Sequence, residues 1–274
     1  AEERYIALAA WMKEQYGSTL IAALKTVLPI KQKVRKLERK SCKLLLDAEE
    51  AKQLLQRCEK KKQTAKARLL KELIQAGELP MPWITGKLHI SSQTIKSLER
   101  QAAVEIISES SYRNPVKIEN NALDARMEAY RKKKCLNEEQ RAAADGILAD
   151  FDAGRKDTSL IHGITGSGKT EVYLEIIEGM IKRGKQAIVL IPEIALTYQT
   201  LLRFYVRFGD RVSVMNSTLS QGEKYDQCER AKKGEIDVMI GPRSALFTPF
   251  SRLGAIIIDE EHESTYKSES MPKY

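Results

Sequence analysis

The sequence has no apolar run approaching the ~20 residues that a membrane-spanning helix needs, and nothing at its start has the build of a secretory leader. Those absences exclude a helical membrane protein as a reading, and the expected compartment is the cytoplasm, with no membrane partner. Cysteine is scarce too. Cys42, Cys58, Cys135 and Cys228 are scattered without any C-x-x-C spacing, so neither a zinc knuckle nor a disulfide framework is indicated, and reduced, buried or incidental thiols are expected. Acidic residues are outnumbered, 37 against 46 Lys and Arg, for a net charge of +9. With 42% hydrophobic residues the chain can build real cores, so the surplus points to an acidic partner rather than to disorder, and nucleic acid is the first candidate. A length of 274 residues suggests one large domain or two ordinary ones. The start at Ala1 and the stop at Tyr274, soon after a motif, suggest a piece of something longer.

What is present centres on Gly163-Ile164-Thr165-Gly166-Ser167-Gly168-Lys169-Thr170, a complete G-x-x-x-x-G-K-[ST] phosphate-binding loop. A short apolar run, Ser159-Leu160-Ile161, leads in as an expected strand, and an amphipathic pattern from Glu171 to Lys182 leads out as an expected helix. Gly163, Gly166 and Gly168 let consecutive amides turn inward on an anion at the helix N-terminus. Thr165 and Ser167 complete the cradle, Lys169 is placed for the β and γ phosphates, and the Thr170 hydroxyl for Mg²⁺. The expected ligand is a nucleoside triphosphate.

In the N-terminal half, the stripe from Tyr5 to Leu28 fits two short helices broken near Gly17-Ser18 and ended by Pro29. Lys31 to Lys71 carries fifteen basic residues against five acidic ones. Its pattern is mostly helical, with Leu44, Leu45, Leu46, Leu54, Leu55, Leu69, Leu70, Leu73 and Ile74 on the buried face. Single lysines there are solvated positions, but as a group they favour DNA. A helix from Thr64 to Gln75 closes at Gly77. After the Pro80-Met81-Pro82-Trp83 connection, the Ser91 to Gln101 segment forms a second helix with Ile95 and Leu98 on one face. Val104–Ile107 and Pro115–Ile118 then read as strands. That order resembles a winged-helix module, in which Lys96 and Arg100 meet phosphates. The competing reading is a helical scaffold without DNA contacts. Glu119 to Lys134 is polar and charged and serves as linker.

Leu136-Asn137-Glu138-Glu139-Gln140 opens the second half, with Asn137 as cap and Gln140 able to close a capping box. The alternative role for Gln140 is gripping adenine. Strands at Ala187–Ile191, Val212–Met215, Ile236–Ile240 and Ala255–Ile258 alternate with helices at Ala195–Phe208 and Gln221–Lys233, a parallel doubly wound α/β pattern with its ligand at the C-terminal strand ends. The last strand runs into Asp259-Glu260-Glu261-His262. Three carboxylates after a buried strand are costly unless they serve a cation, so Asp259 is assigned to Mg²⁺ and Glu260 to the attacking water.

Four blocks in order, GITGSGKT at 163–170, LIPEIALT at 190–197, GPRSALFTPF at 241–250 and IIIDEEHESTYK at 256–267, closely resemble the PriA family of replication-restart DNA helicases in superfamily 2, also called primosomal protein N′. The resemblance implies an α/β, RecA-like P-loop NTPase domain preceded by a mainly helical winged-helix domain. Its expected bounds are 1–30 for a helical remnant or connector, 31–118 for the winged helix, 119–135 for the linker and 136–274 for the first helicase lobe. It implies an ATP-driven 3′ to 5′ helicase acting on forked and single-stranded DNA. Its partners would be primosome and helicase-loading proteins and single-strand-binding protein.

By position, the resemblance gives Gln140 the adenine and puts Gly168, Lys169 and Thr170 on phosphates and Mg²⁺. Asp259 and Glu260 take metal and water, and His262 couples the nucleotide site to the DNA-facing surface. Pro192, Glu193, Thr197, Arg243 and Ser244 fall in single-strand contact blocks, where the Arg243 contribution weakens with salt. Tyr266 matches an aromatic-rich DNA-sensing loop or is a plain surface aromatic; His89 and His162 match nothing and read as structural. Pro242 stands where threonine is common and Asn216 where histidine is usual. The family's second lobe with its arginine finger, its zinc-binding cysteine cluster and most of its N-terminal domain have no counterpart here. Lack of an arginine finger alone can cost about 10³ to 10⁵ in turnover, so nucleotide and DNA binding without efficient hydrolysis or unwinding is expected of these residues by themselves. Two rivals compete: a P-loop nucleotide-switched DNA-binding regulator, which predicts sequence-selective duplex binding, and an unrelated transport or assembly ATPase, which leaves Glu261-His262 and the Arg243 block unexplained.

Overall fold

The computed structural model describes residues 2–28, 37–113, 135–164, 166–267 and 272. Contacts group the chain into two units, Lys36–Tyr112 and the combination of Ala1–Arg35 with Arg113–Tyr274. The Pro115–Ile118 strand, the Glu119–Lys134 linker and Thr165 lie outside the described residues.

In the smaller unit, strand β1 (Leu37–Leu44) lies between β2 (Glu78–Pro80) and β3 (Val104–Ser111) in an antiparallel sheet. The helical expectation for Lys31 to Lys71 therefore fails over β1. The eight residues of β1 pair with β3 from Leu37↔Ser111 to Leu44↔Val104, and this ladder outweighs the local leucine spacing. Leu45 is left 52% exposed instead of buried. Helix formation starts only after Asp47, whose carboxylate accepts from the amides of Glu49 and Glu50 and caps α3 (Ala48–Lys60). Helix α4 (Thr64–Ala76) ends at Gly77, φ +74°, as expected. The proline-rich connection is in fact a short helix, α5 (Met81–Gly86), with Pro82 in its first turn, where a missing amide costs nothing. Helix α6 (Ser92–Glu99) is capped by Ser91 and buries Ile95 and Leu98. They join Leu69, Leu70, Leu73, Ile84 and Cys42 in one core.

In the larger unit, the helices before and after Gly17, α1 (Glu2–Tyr16) and α2 (Leu20–Val27), pack Ala9, Met12, Ala23 and Val27 on Phe247. The Tyr5 hydroxyl donates to the Phe247 carbonyl at 2.9 Å. Leu28, next to Pro29, is extended, as a residue preceding proline prefers.

The central sheet is parallel, in the order β5 (Val212–Val214), β6 (Val238–Gly241), β4 (Gln186–Leu190), β7 (Leu253–Ile258). Strand β4 is buried along its length. Ala187, Val189 and Ile191 face Leu174 and Ile177 of α8 (Lys169–Lys182) and Phe204 of α9 (Tyr198–Phe208). Ile188 and Leu190 face Cys228 and Ala231 of α10 (Gln221–Lys233). Helices thus flank both sides of β4 and β6, the doubly wound arrangement expected, but the last strand is not the buried one expected: at the sheet edge, Ile256 and Ile258 of β7 are 47% and 51% exposed. Helix α7 (Glu138–Asp152) has the Asn137–Gln140 capping box and packs Ala144 against Val172, Ile176 and Met180 of α8.

Two expectations shift here. Ser159-Leu160-Ile161 is not a strand: residues 158–164 are irregular, and Leu160 is 76% exposed. The carbonyls of Gly163 and Ile164, which a continuing strand would offer to a neighbour, accept instead from Lys169 Nζ at 2.7 and 3.3 Å. Helix α9 starts at Tyr198 rather than Ala195, because the Thr197 side chain accepts from the Thr200 amide and caps it there.

Candidate nucleotide site

Because all four strands of the larger sheet are parallel, the segments leaving their C-terminal ends share one rim. Pro192–Thr197 follows β4, Asn216 follows β5, Pro242–Ser244 follows β6 and Asp259–His262 follows β7. The start of α8 reaches the same rim. Tyr173, one turn into that helix, donates from its hydroxyl to Asp259 Oδ1 at 2.5 Å. The phosphate-loop end of α8 and the acid after β7 therefore meet, which the sequence argument required.

The loop itself has the backbone for an anion. Gly166 and Gly168 have φ of +83° and +86°, a region that L side chains resist. Helical bonding in α8 begins with the amides of Glu171 and Val172 on the Gly168 carbonyl, so the amides of Lys169 and Thr170 precede it, as at any helix N-terminus. Gln140 does two things at once. Its Oε1 accepts from the Asn137 amide at 3.0 Å, closing the box, and its Nε2 donates to the Ser167 carbonyl at 2.8 Å. A Cβ on Gly168 would lie 2.5 Å from that Nε2, so only glycine lets the loop lie against the amide.

Asp259 is fixed from several sides. Its amide donates to the Leu190 carbonyl at 2.9 Å. The Tyr266 hydroxyl lies 2.6 Å from the Asp259 carbonyl and 2.9 Å from that of Leu190. Tyr266 is thus a half-buried tie between two strand ends. Burial raises the pKa of both phenols, helped at Tyr173 by the bond to Asp259 and at Tyr266 by the charges of Asp259, Glu260 and Glu263. Both stay neutral donors. Glu260 takes φ +49°, a conformation costly for a non-glycine residue and typical of functional turns. His262 is 70% exposed, 3.8 Å from the Glu260 carboxylate.

The donor set fits a hard cation. Thr170 lies one turn before Tyr173 on α8, and the Tyr173 hydroxyl donates to Asp259, so a hydroxyl and a carboxylate are brought to the same rim. Among the described residues no group of three or more His, Cys, Asp or Glu forms a metal cage. One carboxylate plus a hydroxyl, completed by phosphates and water, suits Mg²⁺, which favours such mixed shells.

Of the remaining candidates, Pro192 is buried and its carbonyl accepts from the Ala195 and Leu196 amides, while Glu193 is exposed. Thr197 has its capping task, and Arg243 and Ser244 open a 3₁₀ helix, Arg243–Phe247. Asn216, at the position where the sequence departs from the usual histidine, accepts from the Thr218 hydroxyl and the Leu219 amide and so closes a turn. Lys96 and Arg100 are exposed in the smaller unit.

Comparison with known proteins agrees with this geometry. Residues 133–274 match the ResIII family, described as type III restriction enzyme, res subunit. Replication restart protein PriA of Bacillus subtilis is 45% identical over 197 residues, 72% of this chain and 24% of that protein. Its namesake in Chlamydia trachomatis is 33% identical over 272 residues, 98% of this chain and 35% of that protein. In Haemophilus influenzae the figure is 48% over 139 residues, 51% of this chain and 19% of that protein. The chain belongs to the PriA proteins of the ResIII family. It spans about a third or less of the length of these PriA relatives.

The phosphate loop, the Asp259-Glu260 acids and the PriA resemblance together supplied every rim residue named above except Tyr173, which no motif marked. The signal for it was local: a phenol, whose polar tip demands a partner when buried, one turn after the phosphate loop among Val172, Leu174, Ile176 and Ile177. Among the described residues no helix is long and apolar enough to cross a membrane.

Proposed function

We propose that this chain is the nucleotide-binding motor lobe, with an attached DNA-binding unit, of an ATP-dependent 3′ to 5′ DNA helicase acting in replication restart. The observation that carries it is the contact between Tyr173 and Asp259, which joins the helix behind the phosphate loop to the acid after β7. In this reading the triphosphate lies on the amides of Gly166 to Thr170, with Thr165 beside them. Lys169 exchanges the Gly163 and Ile164 carbonyls for phosphate oxygens, and Thr170 and Asp259 hold Mg²⁺. Mg²⁺ supplies charge neutralisation for the phosphates. Glu260 orients and deprotonates the attacking water, its strained backbone fixing the carboxylate next to Asp259. His262, beside Glu260, passes the state of the site to the DNA face.

The DNA path follows the same rim, through Pro192, Glu193, Thr197, Arg243 and Ser244, where amides, hydroxyls and one guanidinium suit a phosphate backbone without reading bases. The smaller unit is a winged-helix-like module whose first strand precedes its helices. The antiparallel sheet β2-β1-β3 beside the α5–α6 pair supports this, and exposed Lys96 and Arg100 are its phosphate contacts. The relatives' name, replication restart protein, supports a role in restarting replication; stalled forks, and single-strand-binding and helicase-loading proteins as partners, follow from the resemblance alone.

Titration of a fluorescent ATP analogue, and of forked against plain duplex DNA over a salt series, tests the reading. Expected are saturable nucleotide binding lost in Lys169→Ala and a fork preference with little sequence dependence. Tight, sequence-dependent binding of plain duplex, or no loss in Lys169→Ala, would sink it.

A further inference from the structure

Tyr173 is buried, 6% exposed, on a face of α8 otherwise filled by aliphatic residues. A methionine or leucine would fill the volume; the hydroxyl needs another reason. It donates to Asp259 Oδ1 at 2.5 Å, and Thr170 lies one turn before it on the same side of α8. A phenol owns one proton. With that proton on Asp259 Oδ1, Asp259 Oδ2 is left as the bare oxygen ligand. The backbone of Asp259 is held independently, by its amide on Leu190 and by Tyr266 on its carbonyl, so the Tyr173 bond acts on the carboxylate alone.

We propose that Tyr173 is a positioning residue for the divalent cation: its hydroxyl holds Asp259 Oδ1 and so turns Oδ2 toward the ion. This rests on the nucleotide-binding reading above. It predicts that the Tyr173 hydroxyl sets the Mg²⁺ requirement of nucleotide binding rather than nucleotide binding itself.

The test uses the 274-residue chain and a fluorescent ATP analogue, titrated with Mg²⁺ or held in EDTA. Tyr173→Phe should bind the analogue in EDTA like the wild type but need about tenfold more Mg²⁺ for half-saturation, the loss expected for one hydrogen bond to a charged group. In an Asp259→Ala background the same substitution should change that requirement less than about twofold, because its acceptor is gone. Thermal melts check the fold, and Tyr173→Met, which fills the space without a donor, is the second variant. A Tyr173→Phe half-saturation within twofold of wild type, or an equal rise in both backgrounds, overturns the positioning role and leaves a merely structural bond. Wild-type binding that ignores Mg²⁺ overturns the positioning role alone, whereas wild-type failure to bind the analogue at all removes the nucleotide reading and the positioning role with it.

Discussion

Gly241→Ala is the smallest change that should break the frame of the site. Gly241 ends β6 in register with Leu190 of β4, and its carbonyl accepts from the Ile191 amide at 2.9 Å. On the other side the Met215 amide donates to the Ile240 carbonyl at 2.8 Å. The glycine is therefore pinned between two strands. A Cβ built there lies 2.0 Å from the Met215 carbonyl oxygen, 3.0 Å from its carbon and 3.1 Å from Ala245 Cβ. The closest of these is backbone, so no rotamer relieves it, and Met215 must retreat by about 1 Å to reach the shortest tolerable contact. That retreat stretches the Met215–Ile240 bond past its limit, costing about 1 kcal/mol, and overpacking adds about 1–3 kcal/mol. The sum, about 2–4 kcal/mol, should lower the melting temperature of the larger unit by about 5–15 °C. Circular-dichroism melts and urea titrations measure it. Because the obstacle is the Met215 carbonyl, adding Ala245→Gly should restore little. A Gly241→Ala protein melting within about 2 °C of wild type, or one rescued by Ala245→Gly, would refute the close-approach argument.

Arg207 is 14% exposed and binds Glu175 and Glu178 at 2.6 Å each, with Glu171 at 4.0 Å; Glu175 keeps Arg141 and Glu178 keeps Lys182, so Arg207→Met should cost only about 1–2 kcal/mol. A loss under about 0.5 kcal/mol in urea titrations would show that water screens the cluster. Burial pushes the Cys228 thiol from 9.0 up to about 12, and burial likewise raises Tyr5 and Tyr173 above the ordinary 10.0. Raised folded values give stability that is complete below pH 9 and lost as pH climbs past it, Cys228 contributing a slope of about 1.4 kcal/mol per unit, so Cys228→Ala should flatten the fall between pH 9 and 10. Tyr266→Phe removes the hydroxyl between the Asp259 and Leu190 carbonyls and should cost about 1 kcal/mol, read from the urea midpoint; no change would mean water replaces it. Gln140→Glu keeps the acceptor for the Asn137 amide but loses the donor to Ser167, so helix stability should stay within about 0.5 kcal/mol while nucleotide affinity falls about tenfold. Equal losses in Gln140→Glu and Gln140→Ala would contradict that separation.

The larger sheet was legible because β4 and β6 are buried on both faces and read as continuous apolar runs, and because the charged tetrad at 259–262 marks where β7 ends. The site was legible as letters, since phosphate chemistry constrains glycine, lysine and threonine at fixed spacing. What hid was settled by distant partners. Leu44 looks helical beside Leu45 and Leu46, and only β3, some sixty residues on, makes Leu37–Leu44 a strand. Ser159–Ile161 has the composition of a strand, yet the chain just after it is turned to give the Gly163 and Ile164 carbonyls to Lys169. Tyr173 looked like one more residue of an amphipathic helix; its meaning depends on Asp259, 86 positions away.

Gln140 serves two partners with one side chain. Capping and adenine contact compete on paper because each uses that side chain. An amide, however, has an acceptor end and a donor end, and the capping box occupies only the acceptor. That bond fixes the side chain on the first turn of α7, and the fixed donor end then falls on the Ser167 carbonyl. The cap thus presents the amide to the phosphate loop at no further entropic cost, since the rotamers are already frozen by the box. Gly168 completes the pairing by lacking the one atom that would push the amide away. A glutamate would have capped as well, and that difference, one donor for one acceptor, is what ties the first turn of α7 to the Ser167 carbonyl.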